Sequence, residues 1–212
     1  MLFYGPPGTG KTALARHIAN ALDRECLVKR ASDLLSPWVG VAEQQVAEAF
    51  MGAEREGAVL VIDEADSFLY SRDTAQRSWE TTLVNEFLTA LEECRGFCIC
   101  TTNRRENLDA AAMRRFSHKV PFSYAKTEQL RTLYAKLLLP LCATPLPPDL
   151  EKELFLMQSL TPGDFHAVRL QHASFFGGKT APSHQSLIGS LRREQSLKVE
   201  RHARRIGFGA DA

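Results

Sequence analysis

A glycine-rich segment near the start of the chain carries residue types that bind phosphate. Its glycines let successive backbone N–H groups point towards one anion, and the following lysine can reach the β and γ phosphates of a nucleotide. The segment follows a predicted strand and opens a predicted helix, whose positive end adds to the attraction. It consists of Gly5, Pro6, Pro7, Gly8, Thr9, Gly10, Lys11 and Thr12. This spacing predicts a triphosphate site, and a ligand-free glycine turn is the alternative.

Two acidic residues are expected to complete the phosphate site. Asp63 and Glu64 follow the apolar run 59–62, which we predict to be a parallel strand next to the first one. In such sheets, ligands bind at the carboxyl ends of the strands. We expect Asp63 and the Thr12 hydroxyl to hold Mg²⁺, and Glu64 to polarise an attacking water. Asp66 is interpreted as a helix cap.

The first 122 residues alternate short apolar runs with longer amphipathic stretches, which is typical of parallel strands joined by crossover helices. The predicted strands span 2–4, 26–29, 58–62, 97–101 and 119–122. The predicted helices of this part span 11–22, 41–54 and 81–91. After residue 122 only helical patterns follow, at 127–139, 149–156, 164–175 and 183–201. We therefore predict an α/β domain over 1–122, with a parallel five-stranded sheet and flanking helices, and a small all-helical domain over 123–212.

The composition is that of an ordinary globular protein. Of the 212 residues, 44% are hydrophobic and 24% are charged, and the formal net charge is +1, which argues against nucleic acid or a membrane surface as a partner. No apolar run is long enough to span a bilayer. The five cysteines lack the paired spacing of a zinc site, and we interpret them as reduced. We expect a cytoplasmic protein.

Further segments, in the same order, resemble the AAA family of P-loop ATPases. Residues 101–103 look like its sensor 1, in which Asn103 would position the attacking water. Residues 103–116 are similar to the second region of homology of katanin-like members, where Arg114 and Arg115 match the arginine fingers that reach the γ phosphate of the adjacent subunit. A guanidinium supplied in trans would make hydrolysis depend on assembly. For two adjacent arginines, a solvated helix end is the alternative.

Two segments resemble the pore loops of family members that thread substrates. Trp38, Val39 and Gly40 look like pore loop 1, whose aromatic residue grips a polypeptide in a central channel. A tryptophan packed in a local core is the alternative. Residues 70–77 are polar and lie where the second pore loop lies in the family. The resemblance therefore implies a channel lined by Trp38 and Val39.

In the predicted helical domain, residues 161–165 look like the sensor 2 region, which folds over the nucleotide from a lid. Many AAA+ relatives have an arginine there, whereas this chain has Gly163 and Asp164, as the narrower AAA subfamily tends to. The resemblance places Gly163 near the adenine or ribose. Asp164 is expected to cap its helix.

The resemblance implies ATP and Mg²⁺ as cofactors and a homo-oligomeric ring, expected to be a hexamer, that remodels or threads a polypeptide. A nucleotide-gated assembly module is the alternative, and the balanced charge disfavours a DNA-directed AAA+ ATPase. The chain is most similar to bacterial AAA modules of unknown substrate. The first predicted strand begins at residue 2, whereas the adenine-contacting segment of the family commonly precedes that strand. We therefore expect this sequence to be a fragment of a longer protein.

Overall fold

The structure is a computed structural model that describes residues 1–36, 38, 40–69, 78–103, 108–175 and 181–203; the side chains of 78–81, 174–175 and 199–203 are outside this description. The chain divides into two compact units. We call Met1–Pro6 with Gly10–Phe122 the sheet unit, and Pro7–Thr9 with Ser123–Ala212 the helical unit. The domain limits predicted from the sequence, 1–122 and 123–212, stay a prediction.

In its described residues, the sheet unit contains five strands, all in parallel pairs in the order β2-β3-β4-β1-β5. They are β1 Leu2–Tyr4, β2 Cys26–Arg30, β3 Val59–Asp63, β4 Phe97–Thr102 and β5 Lys119–Pro121. Tyr4 lies opposite Thr102 and Ile62 lies opposite Cys100. The carboxyl ends of β1, β3 and β4 therefore meet at one edge of the sheet. The predicted fold class is confirmed.

One expectation about the sheet is wrong. The strand that ends in Asp63 is not next to β1, because β4 lies between them. Hydrophobic periodicity identifies strands but does not encode their order in the sheet. The apolar runs of the sequence therefore could not show which strand lies next to β1. The helix that follows β1 packs against both β3 and β4. This crossover lets residues after β1 reach the end of a strand two places away.

Six helices surround the sheet in the described residues. They are α1 Lys11–Ala21, α2 Ala31–Leu34, α3 Val41–Glu56, α4 Asp66–Leu69, α5 Ser78–Glu93 and α6 Ala110–Arg114. The three long ones agree with the predicted helices to within a few residues. The short helices α2, α4 and α6 were not predicted, because four or five residues are too few to show a helical period.

Apolar side chains cover both faces of the sheet. The residues of β3 from Val59 to Ile62 are all buried, alternately on the two faces, which explains why this strand is a continuous apolar run. On the face towards α1, the sheet residues Phe3, Val59, Val61 and Ile99 form one buried cluster with Ala15 and Ala19 of α1. On the other face, Phe87 of α5 stacks on Phe68 with ring centroids 4.5 Å apart. This packing fixes the strand ends that carry the polar residues.

The helical unit contains four α-helices in its described part. They are α7 Thr127–Leu133, α8 Pro148–Leu156, α9 Pro162–Phe175 and α10 His184–Ala203. The predicted helix 127–139 is longer than α7, because the chain continues as a π-helix at Tyr134–Leu138 and a 3-10 helix at Leu139–Leu141. None of the helices in the described ranges is both long and apolar enough to cross a membrane.

The π-helix begins at a tyrosine that is buried in the core of the helical unit. The Tyr134 hydroxyl lies 2.8 Å from Nδ1 of His184, whose Nε2 lies 2.9 Å from the carbonyl oxygen of Thr144. Burial raises the pKa of Tyr134 well above its ordinary value, and the nearby Cys142 acts in the same direction. The buried hydroxyl thus has the partner that such a group requires.

Candidate functional site

The glycines of the phosphate loop, residues 5–12, occupy backbone conformations that other residues rarely adopt. Gly5 has φ +143°, and a Cβ there would lie 2.1 Å from the carbonyl oxygen of Phe122. Gly8 has φ +76°, and a Cβ there would lie 2.8 Å from Oγ1 of Thr161. Both the backbone conformation and the space therefore require glycine at these two positions.

The N-terminus of α1 follows the loop directly and is open to an anion. The residue before it, Gly10, has no side chain that could accept hydrogen bonds from the first-turn N–H groups. The first turn also carries no acidic residue. Uncapped N–H groups together with the positive end of the helix dipole attract a phosphate group. The residues present therefore fit the expected ligand.

Lys11 supplies a cation at the same place. Its side chain is 6% exposed, and Nζ donates hydrogen bonds to the carbonyl oxygens of Gly5 and Pro6, at 2.9 Å each. Burial lowers the pKa of Lys11 from its ordinary 10.5, while the negative charge of Asp63 and of two further acids acts in the opposite direction. A buried ammonium group held by carbonyls of the loop is placed to neutralise a phosphate oxygen.

Asp63 at the end of β3 links two hydroxyl groups. Oγ1 of Thr12 donates to Oδ1 of Asp63 at 2.9 Å, and Oγ1 of Thr101 donates to the same oxygen at 2.5 Å. The Asp63 carboxylate is only half-buried. A carboxylate and a hydroxyl are oxygen donors of the kind that Mg²⁺ prefers. The two predicted metal ligands, Thr12 and Asp63, are therefore brought together and fit the ion.

Glu64 has an unusual backbone conformation. Its φ is +55°, in the left-handed region, which is uncommon for a residue other than glycine. The Glu64 N–H donates to Oγ1 of Thr101 at 3.2 Å, and the next N–H, of Ala65, donates to the carbonyl oxygen of Thr101 at 2.8 Å. These bonds hold the turn, and the Glu64 carboxylate remains exposed to water. Residues held in this region often serve a site where their direction matters.

Sequence reasoning missed Thr101, which contacts both acidic residues. The side chain is 1% exposed, and one hydroxyl bonds the carboxylate of Asp63 and the backbone of Glu64. The available signal was a pair of threonines at the end of an apolar strand, because buried polar groups need partners. The second threonine, Thr102, donates to the carboxylate of Asp66 in the first turn of α4.

The two arginines lie at the other edge of the sheet. Nε of Arg115 is 2.7 Å from Oε1 of Glu92 on α5, whereas Arg114 is exposed at the end of α6. Both line a cleft with Met1 and Cys98, which are at the amino ends of β1 and β4. The acids described above are at the carboxyl ends of the strands. Within one chain, the structure therefore does not bring the arginines to the acids.

Comparison with known proteins agrees with this geometry. Residues 1–124, more than half of the chain, match the model of the family described as "ATPase family associated with various cellular activities (AAA)". The chain belongs to the AAA family. It is therefore an ATP-binding AAA domain with ATPase chemistry, as the loop, Lys11 and the acid pair indicate.

Individual relatives of this AAA domain are longer proteins. It is 37% identical to fidgetin-like protein 1 of Drosophila melanogaster over 145 residues, which is 65% of this chain and 28% of the relative. It is 35% identical to spastin of Drosophila persimilis over 162 residues, 73% of this chain and 20% of spastin. The chain thus matches less than a third of the length of each of these relatives. The expected likeness to bacterial members stays a prediction.

The fold has a solved counterpart. The crystal structure of the FIGL-1 AAA domain in complex with ADP superposes on the chain with a TM-score of 0.69, covering 94% of this chain and 75% of that one. The sequence identity is 23%, so this likeness concerns the fold. It supports the parallel sheet with flanking helices that was predicted from the sequence.

In the AAA domain, Trp38, which is predicted to be the aromatic residue of pore loop 1, is accessible. The Trp38 side chain is 74% exposed, and the backbone N–H of Trp38 donates to Oγ of Ser36 at 3.2 Å. Gly40, at φ +85°, precedes α3. The alternative of a tryptophan in a local core is therefore wrong for this chain. Val39 and the proposed second pore loop at 70–77 lie outside the described residues.

The remaining predicted residues lie in two places. Asn103 directly follows β4 and is half-buried, at the edge where the acids are. Gly163, in the helical unit, donates its N–H to the carbonyl oxygen of Gly8 at 2.9 Å. The interpretation of Asp164 as a helix cap is supported, because its carboxylate accepts from the N–H of Thr161 at 2.6 Å. A contact of Gly163 with adenine or ribose stays a prediction.

Proposed function

We propose that this AAA domain hydrolyses Mg-ATP as one subunit of a homo-oligomeric ring, with six subunits expected, and uses the cycle to remodel or thread a polypeptide. The main support is the separation between the arginines and the acids. Asp63 and Glu64 lie at the carboxyl ends of the strands, whereas Arg114 and Arg115 line a cleft at the amino ends of β1 and β4. A second copy can supply the guanidinium that one chain does not bring to its own site.

In this proposal, the phosphate groups of ATP bind to the loop and to the first turn of α1. Lys11 neutralises charge on the β and γ phosphates, because its ammonium group is buried beside the loop carbonyls. Thr12 and Asp63 hold Mg²⁺, which when bound offsets negative charge on the phosphate oxygens. Thr101 fixes the direction of the Asp63 carboxylate through its short hydrogen bond.

Hydrolysis requires a water aligned with the γ phosphorus. Glu64 orients this water and accepts its proton while the new O–P bond forms and the bond to the β-phosphate oxygen breaks, leaving ADP and phosphate. Asn103 orients the same water from the end of β4. Arg114, from the neighbouring subunit and together with Arg115, stabilises the charge of the transferring phosphoryl group.

The polypeptide part of the proposal depends on Trp38. The Trp38 side chain is 74% exposed, so this large aromatic ring is accessible to a polypeptide. Its position before α3 matches the pore loop to which the segment is similar. We also propose a cytoplasmic location, which is supported by the five cysteines being free thiols.

The test compares Trp38→Ala with Met51→Ala, which removes another large exposed side chain, 61% exposed, on α3. ATP turnover is measured with and without reduced, carboxymethylated lactalbumin as an unfolded probe polypeptide. We expect the polypeptide to change the turnover of wild type and Met51→Ala, and Trp38→Ala to lose most of this response. Equal responses in all three proteins, or none, would contradict threading and favour a nucleotide-gated assembly module.

A further inference from the structure

In the helical unit, one carboxylate holds the turn that opens α9, residues 161–164. Oδ2 of Asp164 accepts hydrogen bonds from the N–H of Thr161 at 2.6 Å and from its Oγ1 at 2.9 Å. These two bonds form the N-terminal cap of α9. A third bond comes from Nζ of Lys198 on α10, at 2.5 Å. The cap is complete without this third bond, so the cap itself does not require the ion pair.

The same turn contacts the backbone of the phosphate loop at Gly8. The Gly163 N–H donates to the Gly8 carbonyl oxygen at 2.9 Å. A Cβ on Gly163 would lie 3.0 Å from Cα of Gly8, and a Cβ on Gly8 would lie 2.8 Å from Oγ1 of Thr161. The Thr161 hydroxyl that limits the space at Gly8 is thus the hydroxyl that Asp164 holds.

Lys198 is itself held in place. Nζ also donates to the carbonyl oxygen of Ser159 at 2.9 Å and lies 5.6 Å from the centre of the Tyr124 ring. The side chain of Lys198 is 23% exposed and that of Asp164 is 9% exposed. Removing the cation would leave a nearly buried carboxylate without its charge partner, which is more costly than breaking an exposed ion pair.

We propose that Lys198 is a positioning residue of the nucleotide site. By pairing with Asp164, Lys198 fixes the turn at 161–164. This turn contacts Gly8 within the helical unit and thereby sets the backbone conformation of Gly8. The lysine on α10 thereby determines how well the N–H groups of the loop fit a phosphate. This proposal rests on the phosphate-binding role of residues 5–12, and it needs neither ring assembly nor a polypeptide substrate.

The test measures the Kd of a fluorescent ADP analogue for the 212-residue chain carrying Lys198→Met, which keeps the apolar stem and removes the charge. Lys152→Met is the matched control, because the Lys152 side chain is 78% exposed and pairs with Asp149 on its own helix, at 3.7 Å. We expect Lys198→Met to raise the Kd about tenfold. The control should bind like wild type. Thermal unfolding of each protein shows that it is folded at the assay temperature.

A double-mutant cycle separates positioning from a general loss of structure. Asp164→Asn removes the charge from the other side of the pair, and it is measured alone and combined with Lys198→Met. If the pair acts as proposed, the combination raises the Kd about as much as either change alone. Independent effects that multiply, or a lower melting temperature with an unchanged Kd, would make the proposal wrong. A wild-type chain that does not bind the analogue would overturn the phosphate-loop assignment as well.

Discussion

Replacing Thr101 by valine removes one hydroxyl and keeps the shape of a side chain that is 1% exposed. That hydroxyl donates to the carboxylate of Asp63 at 2.5 Å and accepts from the N–H of Glu64 at 3.2 Å. A hydrogen bond to a charged group contributes about 1.5–3 kcal/mol, and a buried N–H without a partner costs about 1 kcal/mol or more. Because the Asp63 carboxylate is only half-buried and keeps its bond from Thr12, we take the lower part of this range and expect the free energy of unfolding to fall by about 2 kcal/mol.

The effect of Thr101→Val on turnover should exceed its effect on nucleotide binding. The hydroxyl orients a proposed Mg²⁺ ligand and the backbone of the proposed general base, and a misplacement of about 1 Å at a reacting centre can cost about a hundredfold in rate. We expect kcat to fall between about tenfold and a hundredfold, with a smaller change in KM.

Urea unfolding and steady-state phosphate release measure the two effects of Thr101→Val. The matched control is Thr132→Val, which removes an exposed hydroxyl that donates to the carbonyl oxygen of Glu128 at 3.0 Å on α7. The control should change the unfolding free energy by no more than about 0.5 kcal/mol. If Thr101→Val unfolds and turns over like Thr132→Val, the positioning of the acids by Thr101 is refuted.

Two further predictions concern cations. Arg114→Ala should lower ATP turnover about a thousandfold or more, and its urea midpoint should be unchanged because the Arg114 side chain is exposed. Arg115→Ala also loses the contact with Glu92 and should lower the urea midpoint. Equal turnover of Arg114→Ala and wild type would contradict the proposed role of Arg114 in the neighbouring subunit's site. Burial lowers the pKa of Lys11 in the folded protein below 10.5. Between that lowered pKa and 10.5, Lys11 therefore binds more protons in the unfolded chain than in the folded one. The free energy of unfolding should accordingly rise as the pH increases towards 10.5. Urea unfolding at several pH values should show this rise in wild type and not in Lys11→Met; an unchanged slope in the variant would contradict the burial of Lys11.

The phosphate loop and the acid pair could be predicted from the sequence, because each consists of residues that lie close together along the chain. The loop from Gly5 to Thr12 follows β1 and opens α1 as its pattern requires. The acids after β3 stand out because a continuous apolar run ends in two charges. In each case one local element carries the whole signal, and a single sequence suffices to find it.

Other features depend on contacts between distant segments, and the sequence pattern does not contain them. The position of β4 between β1 and β3 is set by the packing of the whole sheet. Thr101 bonds the Asp63 carboxylate although the two residues are 38 positions apart in the sequence and lie on different strands. Arg115 pairs with Glu92 of another helix, which sets it apart from the adjacent Arg114. The positive φ of Glu64 likewise follows from bonds to β4 and not from the residue type.

Glu64→Gln tests whether the loop and the acid pair form a hydrolytic site. The substitution keeps size and hydrogen-bonding ability but removes the group that accepts a proton from water. Binding of a fluorescent ATP analogue and phosphate release are measured on the same protein. We expect the Kd to stay within about twofold of wild type and phosphate release to fall by about 10²–10⁴-fold. Wild-type turnover in Glu64→Gln, or loss of binding together with turnover, would contradict the assignment of this glutamate and of the site built around it.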